Sequence, residues 1–581
     1  MPKTLYETII DRVRGELPAL ILFSCLVNLL LLVTVFYMLQ VYDRVLSTDS
    51  LDTLIWLTLG TLASIIAYGV IEHARRLMLT RTGAWLNLEL TGPVIRRAME
   101  ARLAGAGLEA GPRDVSDLRA FFDGDGPVAL LDTPWALIFI VFIWQLHPAL
   151  GLIAIGGALV LFGLAVGNDL ATRPAQKRST TELRANHDAA LRYIDGGETL
   201  APLGMAQPII ERWQEREELA NDRQQHLAED TATVVSISRA IRMALQVLIL
   251  GTGAYYVIQG QLTGGAMIAA SIVLARALSP IERSISAWRR LLAAAAAHRN
   301  LKALFKGSVA GHETVKLPRP LGRLSVEAVS FASQARHEPI LSNIAFNLEP
   351  GSSCAIVGPS GAGKSTLCRL LVGAARPSYG HVRLDGADVF AWDSDDLGPY
   401  LGYLPQQVEL FPGTVGQNIA RFRPIDSEKL VAAAQLAGVH QLVLGLSGGY
   451  ETDIATTGSQ LSQGQRQRIG LARAVYGDPA VLVLDEPNSN LDSDGDLALT
   501  KALAELKRRR RTVVIVTHRP VDLQAVDKIL ILRNGSVTRF ADRDEVLRPS
   551  GVPVEGEEPR RISQPTRKLP RASSPGVSPL P

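Results

Sequence analysis

Four stretches of this chain are nearly free of charge and long enough to cross a lipid bilayer, so the first half cannot be an ordinary soluble domain. A hydrocarbon core of about 30 Å needs about 20 consecutive apolar residues in a helix. Ala19–Leu39 supplies 21 and Thr53–Ile71 another 19, neither with a charged side chain. Val128–Val166 carries only Asp132 and His147 and is too long for one span. It divides at Leu146-His147-Pro148, which predicts two antiparallel helices and a tight outer turn. Met243–Ala275 is charge-free and divides at Gly260-Gln261-Leu262-Thr263-Gly264-Gly265. Two single spans and two hairpins make six. Beyond residue 320 the pattern becomes that of a soluble α/β domain, and the positive mean hydropathy of +0.14 comes from the first half.

Basic residues set the expected orientation. Arg12 and Arg14 precede the first span. Eight arginines, Arg75 to Arg119, lie between spans two and three, and eight basic residues, Arg173 to Arg223, between spans four and five. Arg44 is the only Lys or Arg in the other three loops. Both termini and both long loops are therefore expected in the cytoplasm. The stretch Leu183 to Ala232 reads as a charged helical extension with its breakers confined to Gly196–Pro208. It is either a solvated hairpin or a lever carrying force out of the membrane. Asn28, inside the first span, either lines a path or bonds a neighbouring helix.

The expected division is a cytoplasmic N-terminal segment over 1–18, a membrane domain over 19–305, a linker over 306–322, a nucleotide domain over 323–548 and a tail over 549–581. The first segment is mixed polar and the apolar run after it is too long for a cleavable signal. About 18 residues leave no room there for a further domain. The tail is rich in Pro, Ser and Arg, which predicts disorder. Three cysteines without a CxxC pair or a histidine cluster exclude a disulfide framework and a zinc site; Cys25, Cys354 and Cys368 read as small buried side chains.

Residues 352–357 read as a short buried strand, followed by Gly358-Pro359-Ser360-Gly361-Ala362-Gly363-Lys364-Ser365-Thr366. This is the phosphate-binding pattern GxxxxGK[ST] in its required setting, strand before and helix after. Backbone N–H groups curl around phosphate oxygens, the helix adds its positive end, Lys364 reaches the β and γ phosphates and Ser365 binds Mg²⁺. The apolar strand Ala480–Leu484 then delivers Asp485 and Glu486 at its C-terminal end, the edge where α/β sheets carry their sites. Asp485 suits a magnesium shell and Glu486 a general base for the attacking water. Phosphoryl transfer is mostly positioning and charge stabilisation, so more groups should converge. Gln406 is placed to touch Mg²⁺ and water, and His518, after the strand Thr512–Thr517, to contact the γ-phosphate.

Leu461-Ser462-Gln463-Gly464-Gln465 resembles the LSGGQ signature of ABC ATPases, and Ser489-Asn490-Leu491-Asp492 resembles their D-loop. With the P-loop, Gln406, the Asp485–Glu486 strand and His518, six motifs stand in family order. The resemblance implies an ABC exporter: a six-span α-helical membrane domain fused to an α/β P-loop ATPase with a RecA-like core and a helical subdomain. It further implies head-to-tail pairing of two ATPase domains, with Ser462 and Gly464 acting at nucleotide held by a partner, and it places Gln465 and Asp492 among the nucleotide-binding residues. One ATPase domain per chain makes this a half-transporter that dimerises with itself. Four strings resemble the type I secretion branch, specifically the protease-secretion (PrtD-like) exporters: Tyr37-Met38-Leu39-Gln40-Val41-Tyr42-Asp43-Arg44-Val45-Leu46, Leu131-Asp132-Thr133-Pro134-Trp135, His147-Pro148-Ala149-Leu150-Gly151 and Glu486 to Asp492. That branch implies a bacterial inner-membrane protein working with a periplasmic adaptor and an outer-membrane channel on unfolded protein cargo, with no nucleic-acid partner.

Two positions depart from the pattern. Gln463 replaces the first glycine of the signature, and Ser333 stands where an adenine-stacking tyrosine usually lies. Two other functions fit the same architecture: an exporter of lipid, drug or peptide, and a membrane-anchored ATPase that regulates without transport.

Overall fold

The computed structural model describes residues 4–103, 110–306, 317–332, 339–454, 461–547. The chain forms two units, 1–312 and 313–581. Ser333 and the 549–581 tail lie outside the described residues, as does most of the linker.

The first unit is helical. Its helices are α1 (Leu5–Gln40), α2 (Leu51–Leu103), α3 (Pro112–Phe122), α4 (Gly126–Leu146), α5 (Pro148–Asp195), α6 (Ala206–Ile258) and α7 (Gly264–Lys306). Six helices among the described residues are long and apolar enough to span a bilayer. Both hairpin breaks fall where the apolar runs divide: His147 is extended, at φ −162°, between α4 and α5, and residues 259–263 separate α6 from α7. The surprise is length. At 1.5 Å per residue, the 53 residues of α2 make a rod of about 80 Å, far beyond the bilayer. Most of each charged loop is a helical continuation of a span, while Arg113 and Arg119 lie in the separate short helix α3. At the N-terminus α1 starts at Leu5 behind a Thr4–Glu7 capping box and runs unbroken through Pro18 into the span.

Apolar side chains point both ways. Val35, Phe139, Ile143, Leu150, Leu161, Ile249 and Leu274 are buried between helices. Trp56, Ile66, Leu137 and Val247 are each about 70% exposed in a lipid-free structure, as a hydrocarbon-facing surface requires (75%, 69%, 69% and 71%). Close helix approach relies on small residues: a Cβ on Gly157 would meet Leu245 at 2.4 Å.

A buried polar cluster ties three helices. Asp132 Oδ1 accepts from Ser24 Oγ at 2.6 Å, Asn28 Nδ2 at 3.0 Å and Arg75 Nη1 at 2.8 Å, while Arg75 also pairs with Glu72 at 2.6 Å. Asn28 therefore bonds a neighbouring helix rather than lining a path. Arg75, counted by sequence among the loop arginines, is 1% exposed. Asp43, in the π-helical turn Val41–Val45, accepts from Gly265 N at 2.8 Å and Thr263 Oγ1 at 2.7 Å, and so holds the end of α1 to the start of α7. That gives the Tyr37–Leu46 string a structural role.

The second unit contains two sheets. An antiparallel sheet has the order β2 (Pro339–Leu348), β1 (Leu324–Ala332), β4 (Tyr379–Leu384), β5 (Ala387–Asp388). The larger sheet has the order β10 (Ser536–Asp542), β9 (Lys528–Arg533), β3 (Ser353–Val357), β8 (Thr512–Val516), β7 (Val481–Asp485), β6 (Leu401–Leu404), parallel except for the edge strand β10. The strands β7 and β8 are buried on both faces, hence their unbroken apolar sequence. Val481, Val483, Val514 and Val516 join one apolar core, and Leu482, Leu484, Val513 and Ile515 the other. The described helices include α8 (Lys364–Leu371), α9 (Ser427–Leu436), α10 (Gln463–Val475) and α11 (Ser493–Arg508). Cys354 and Cys368 are buried and Cys25 is half-buried, all as free thiols.

Removing Asp132 takes one of two carboxylates from the buried Arg75 and leaves Ser24 and Asn28 without their acceptor on α4. Asp132→Ala is expected to cost about 3–5 kcal/mol, and Asp132→Asn less, since the amide still accepts hydrogen bonds. Thermal unfolding of the detergent-solubilised protein measures both.

Candidate nucleotide site

Sheet register builds the site. Leu404 pairs with Leu484, Asp485 with Val516, and Ile356 with Val516. The chain leaves β6, β7, β8 and β3 at one edge, and the next residues on those four adjacent strands include Gln406, Glu486, His518 and the Gly358 loop. Two residues beyond the Leu404–Leu484 pair, Gln406 Nε2 donates to Glu486 Oε2 at 2.8 Å. His518 Nε2 stands 3.9 Å from the other carboxylate oxygen, Oε1. The three residues singled out by sequence as catalytic thus meet around one carboxylate.

Glu486 is held unusually. Its φ is +50°, a left-handed conformation that costs a residue with a side chain, of order 1–3 kcal/mol. Its N–H donates to Val516 O at 3.1 Å, and Gln467 Nε2 donates to Pro487 O at 3.3 Å. These bonds fix the turn just where β7 ends.

The loop from Gly358 to Gly363 connects β3 to α8. Gly363 has φ +97°, and a Cβ there would meet Leu341 at 2.7 Å, so glycine is needed for both conformation and space. Pro359, Ser360 and Gly361 are exposed at the loop tip and Ala362 is buried beneath it. Lys364 is buried, and its Nζ donates to Gly358 O at 2.9 Å and Pro359 O at 3.0 Å, folded back over the loop. Ser365 and Thr366 lie in the first turn of α8. The Ser365 side chain hydrogen-bonds Asp485. Burial raises the pKa of Asp485 and the neighbouring Glu486 charge adds to the rise, while Ser365 and Lys364 oppose it. Among the described residues, nothing donates a hydrogen bond to the buried Asp485 Oδ1. A buried acceptor with nothing to accept from is costly unless something electropositive joins it.

The signature is a helix start. Ser462 Oγ accepts from Gln465 N at 3.2 Å and Gln465 Oε1 accepts from Ser462 N at 3.0 Å, a reciprocal capping box at the head of α10. Gln465, expected among the nucleotide-binding residues, has its side chain held by its own helix. Gln463 is exposed in the first turn, where a side chain has room. Gly464 has no room: a Cβ would lie 2.6 Å from Asn490 O. Asp492 caps α11, accepting from Gly495 N at 2.9 Å, and also takes the Arg468 guanidinium. The hydrogen bond from Gly495, with Arg468 nearby, lowers the pKa of Asp492.

Sequence reasoning missed the polar frame behind these groups. Asp522, buried, accepts from Thr517 Oγ1 at 2.6 Å and Asn488 Nδ2 at 3.1 Å, joining the His518 turn to the Glu486 turn. Asn418, fully buried, accepts from Phe411 N at 2.9 Å and from Arg473 Nη2 at 2.7 Å, and donates to Phe411 O at 2.8 Å.

Comparison with known proteins agrees with this geometry. Residues 17–279 match the ABC transporter transmembrane region and 341–489 match the ABC transporter domain. The type I secretion system ATP-binding protein PrsD of Rhizobium meliloti is 40% identical over 529 residues, covering 90% of this chain and 91% of that protein. The cyclolysin secretion/processing ATP-binding protein CyaB of Bordetella pertussis is 28% identical over 92% of this chain and 76% of its own length. A bacterial Atm1-family ABC exporter solved with ATP bound shares the fold, with a TM-score of 0.77, 21% identity and coverage of 92% of this chain and 96% of that one. A six-helix membrane unit, an ATP site with its signature, and a 40% match along nine-tenths of the chain have one meaning: the chain belongs to the ABC transporter family, in its type I secretion branch, as a multi-pass membrane protein powered by ATP hydrolysis.

Proposed function

We propose that this protein is the inner-membrane half-transporter of a type I secretion system, working as a homodimer that moves unfolded protein cargo out of the cytoplasm. The observation that carries the proposal is the match to PrsD along the membrane unit as well as the ATPase unit. The cyclolysin relative, named for secretion of a protein, supports the same cargo class. A periplasmic adaptor and an outer-membrane channel complete the path across the envelope. Both termini and the long charged helical extensions face the cytoplasm, following the arginine distribution.

In the proposed mechanism, ATP lies along the Gly358–Thr366 loop. Lys364 exchanges its two loop carbonyls for β and γ phosphate oxygens. The orphan Oδ1 of Asp485, the Ser365 hydroxyl and the Gln406 amide form an all-oxygen donor set that fits Mg²⁺. Bound there, Mg²⁺ would neutralise phosphate charge. Glu486 takes a proton from the attacking water, with Gln406 and His518 orienting its carboxylate from either side. His518 also contacts the γ-phosphate.

Among the described residues, the capping bonds of Ser462 and Gln465 are made with each other. The exposed head of α10 is therefore free to meet nucleotide on a second chain, with Asp492 beside it. Two ATP molecules draw the ATPase domains together, the helical extensions pass that closure to the spans, and hydrolysis resets the pair.

Glu486→Gln is expected to keep nucleotide binding while turnover falls by about 100-fold or more. Near-normal ATPase activity would remove Glu486 from the role of base. Lys364→Ala is expected to weaken ATP binding itself, read by titration of a fluorescent analogue. Deleting the gene and comparing culture-medium proteins tests the cargo class: loss of one or a few secreted proteins is expected, and an unchanged medium would contradict export of protein.

A further inference from the structure

Arg421 makes a set of bonds that ATP hydrolysis, as described above, does not use. Its guanidinium donates to four carbonyls: Gly398 O at 2.6 Å, Leu401 O at 2.9 Å, Arg473 O at 2.9 Å and Ala474 O at 2.9 Å. Two of these belong to the last turn of α10. Of the other two, Leu401 opens β6, the strand that delivers Gln406, and Gly398 lies in the 3-10 turn just before it. Among the described residues no carboxylate pairs with it; instead Arg423 and Arg473 stand nearby, and burial together with those charges lowers its pKa to about 10. Arg421 and Phe422 both have positive φ, +58° and +55°. An unpaired cation on a strained turn is an expensive arrangement, and such costs cluster where geometry matters.

The neighbouring contacts lead the same way. Arg473, on α10, donates to Glu409 O at 2.9 Å and Asn418 O at 3.0 Å, binding the segment after Gln406. A Cβ on Gly402 would lie 2.3 Å from Ala474 O, so β6 and the end of α10 touch directly. A cation bonded to the last carbonyls of a helix also complements its dipole.

We propose that Arg421 is a positioning residue for ATP hydrolysis: it clamps the C-terminal turn of α10 to the head of β6, so that Ser462 at the other end of α10 keeps register with Gln406. The inference rests on the two-chain nucleotide site proposed above. Leverage makes the clamp matter. The 13 residues of α10 span about 20 Å, so a tilt of about 3° at the clamped end moves Ser462 by about 1 Å. A displacement of that size costs about 100-fold in a reaction that depends on alignment. Nucleotide binding to the chain's own P-loop is untouched, because that loop lies on β3 and α8.

The test uses the full-length protein reconstituted in lipid, with Arg421→Gln, Arg421→Lys, Ser462→Ala and the double variant Arg421→Gln/Ser462→Ala. For Arg421→Gln, kcat is expected to fall about tenfold or more, with KM and the affinity for a fluorescent ATP analogue without Mg²⁺ within about twofold. Arg421→Lys, which keeps the cation but cannot reach four carbonyls, recovers part of the loss, and it carries the same test where the glutamine variant does not assemble. The double variant loses little more than Ser462→Ala alone, because both act through one element. The proposal is overturned if kcat stays within about twofold, if kcat and nucleotide affinity fall together with the melting temperature, or if the two losses multiply. The Ser462→Ala control separates the two levels. If it lowers kcat while Arg421→Gln does not, only the clamp is wrong; if it leaves kcat unchanged, the shared nucleotide site itself is wrong.

Discussion

The geometry of the proposed ATP site hangs on the Glu486 carboxylate, which stands between Gln406 and His518 at the end of a fully buried strand. The β6–β7–β8–β3 register brings four chain segments to one edge, and each contributes one part: amide, carboxylate, imidazole and phosphate loop. The left-handed turn at Glu486 aims that carboxylate, and Asp522, Asn488, Thr517 and Gln467 keep the turn from relaxing. An apolar two-layer core provides the rigidity. Without it, a strained backbone and an orphan Asp485 oxygen would not survive.

The membrane unit solves a different problem with the same logic. Lipid offers no hydrophobic drive to hold helix against helix, so packing and internal polar bonds must do so. Asp132 collects three donors from two other helices, and Asp43 holds the first span to the last. Both residues fall in strings that resemble the type I secretion branch. Their position in the structure shows those strings to be joints between helices.

Much of this was legible in the sequence because it depends on local pattern. Charge-free runs of 19 residues or more announce spans, and His147-Pro148 announces a turn. A GxxxxGKS string between a strand and a helix announces a phosphate site. What stayed hidden depends on distant partners. Arg75 looks like any loop arginine until Asp132, 57 residues away, comes beside it. The positive φ of Glu486, the four-carbonyl clamp at Arg421 and the Asn490 carbonyl pressed against Gly464 are set by backbone atoms of other segments, which no local pattern encodes. Helix lengths were underread for a related reason: charge marks where the membrane ends but not where the helix does.

The central claim is that nucleotide is shared between two copies of this chain, one offering its P-loop and the other its signature. It is tested most directly by placing cysteines at Ser360 and Ser462 in the Glu486→Gln background and oxidising with and without Mg²⁺-ATP. A disulfide requires Cα atoms within about 7 Å. An ATP-dependent band at twice the chain mass on a non-reducing gel is expected. A cross-link confined to one chain, or one indifferent to nucleotide, would contradict the shared site.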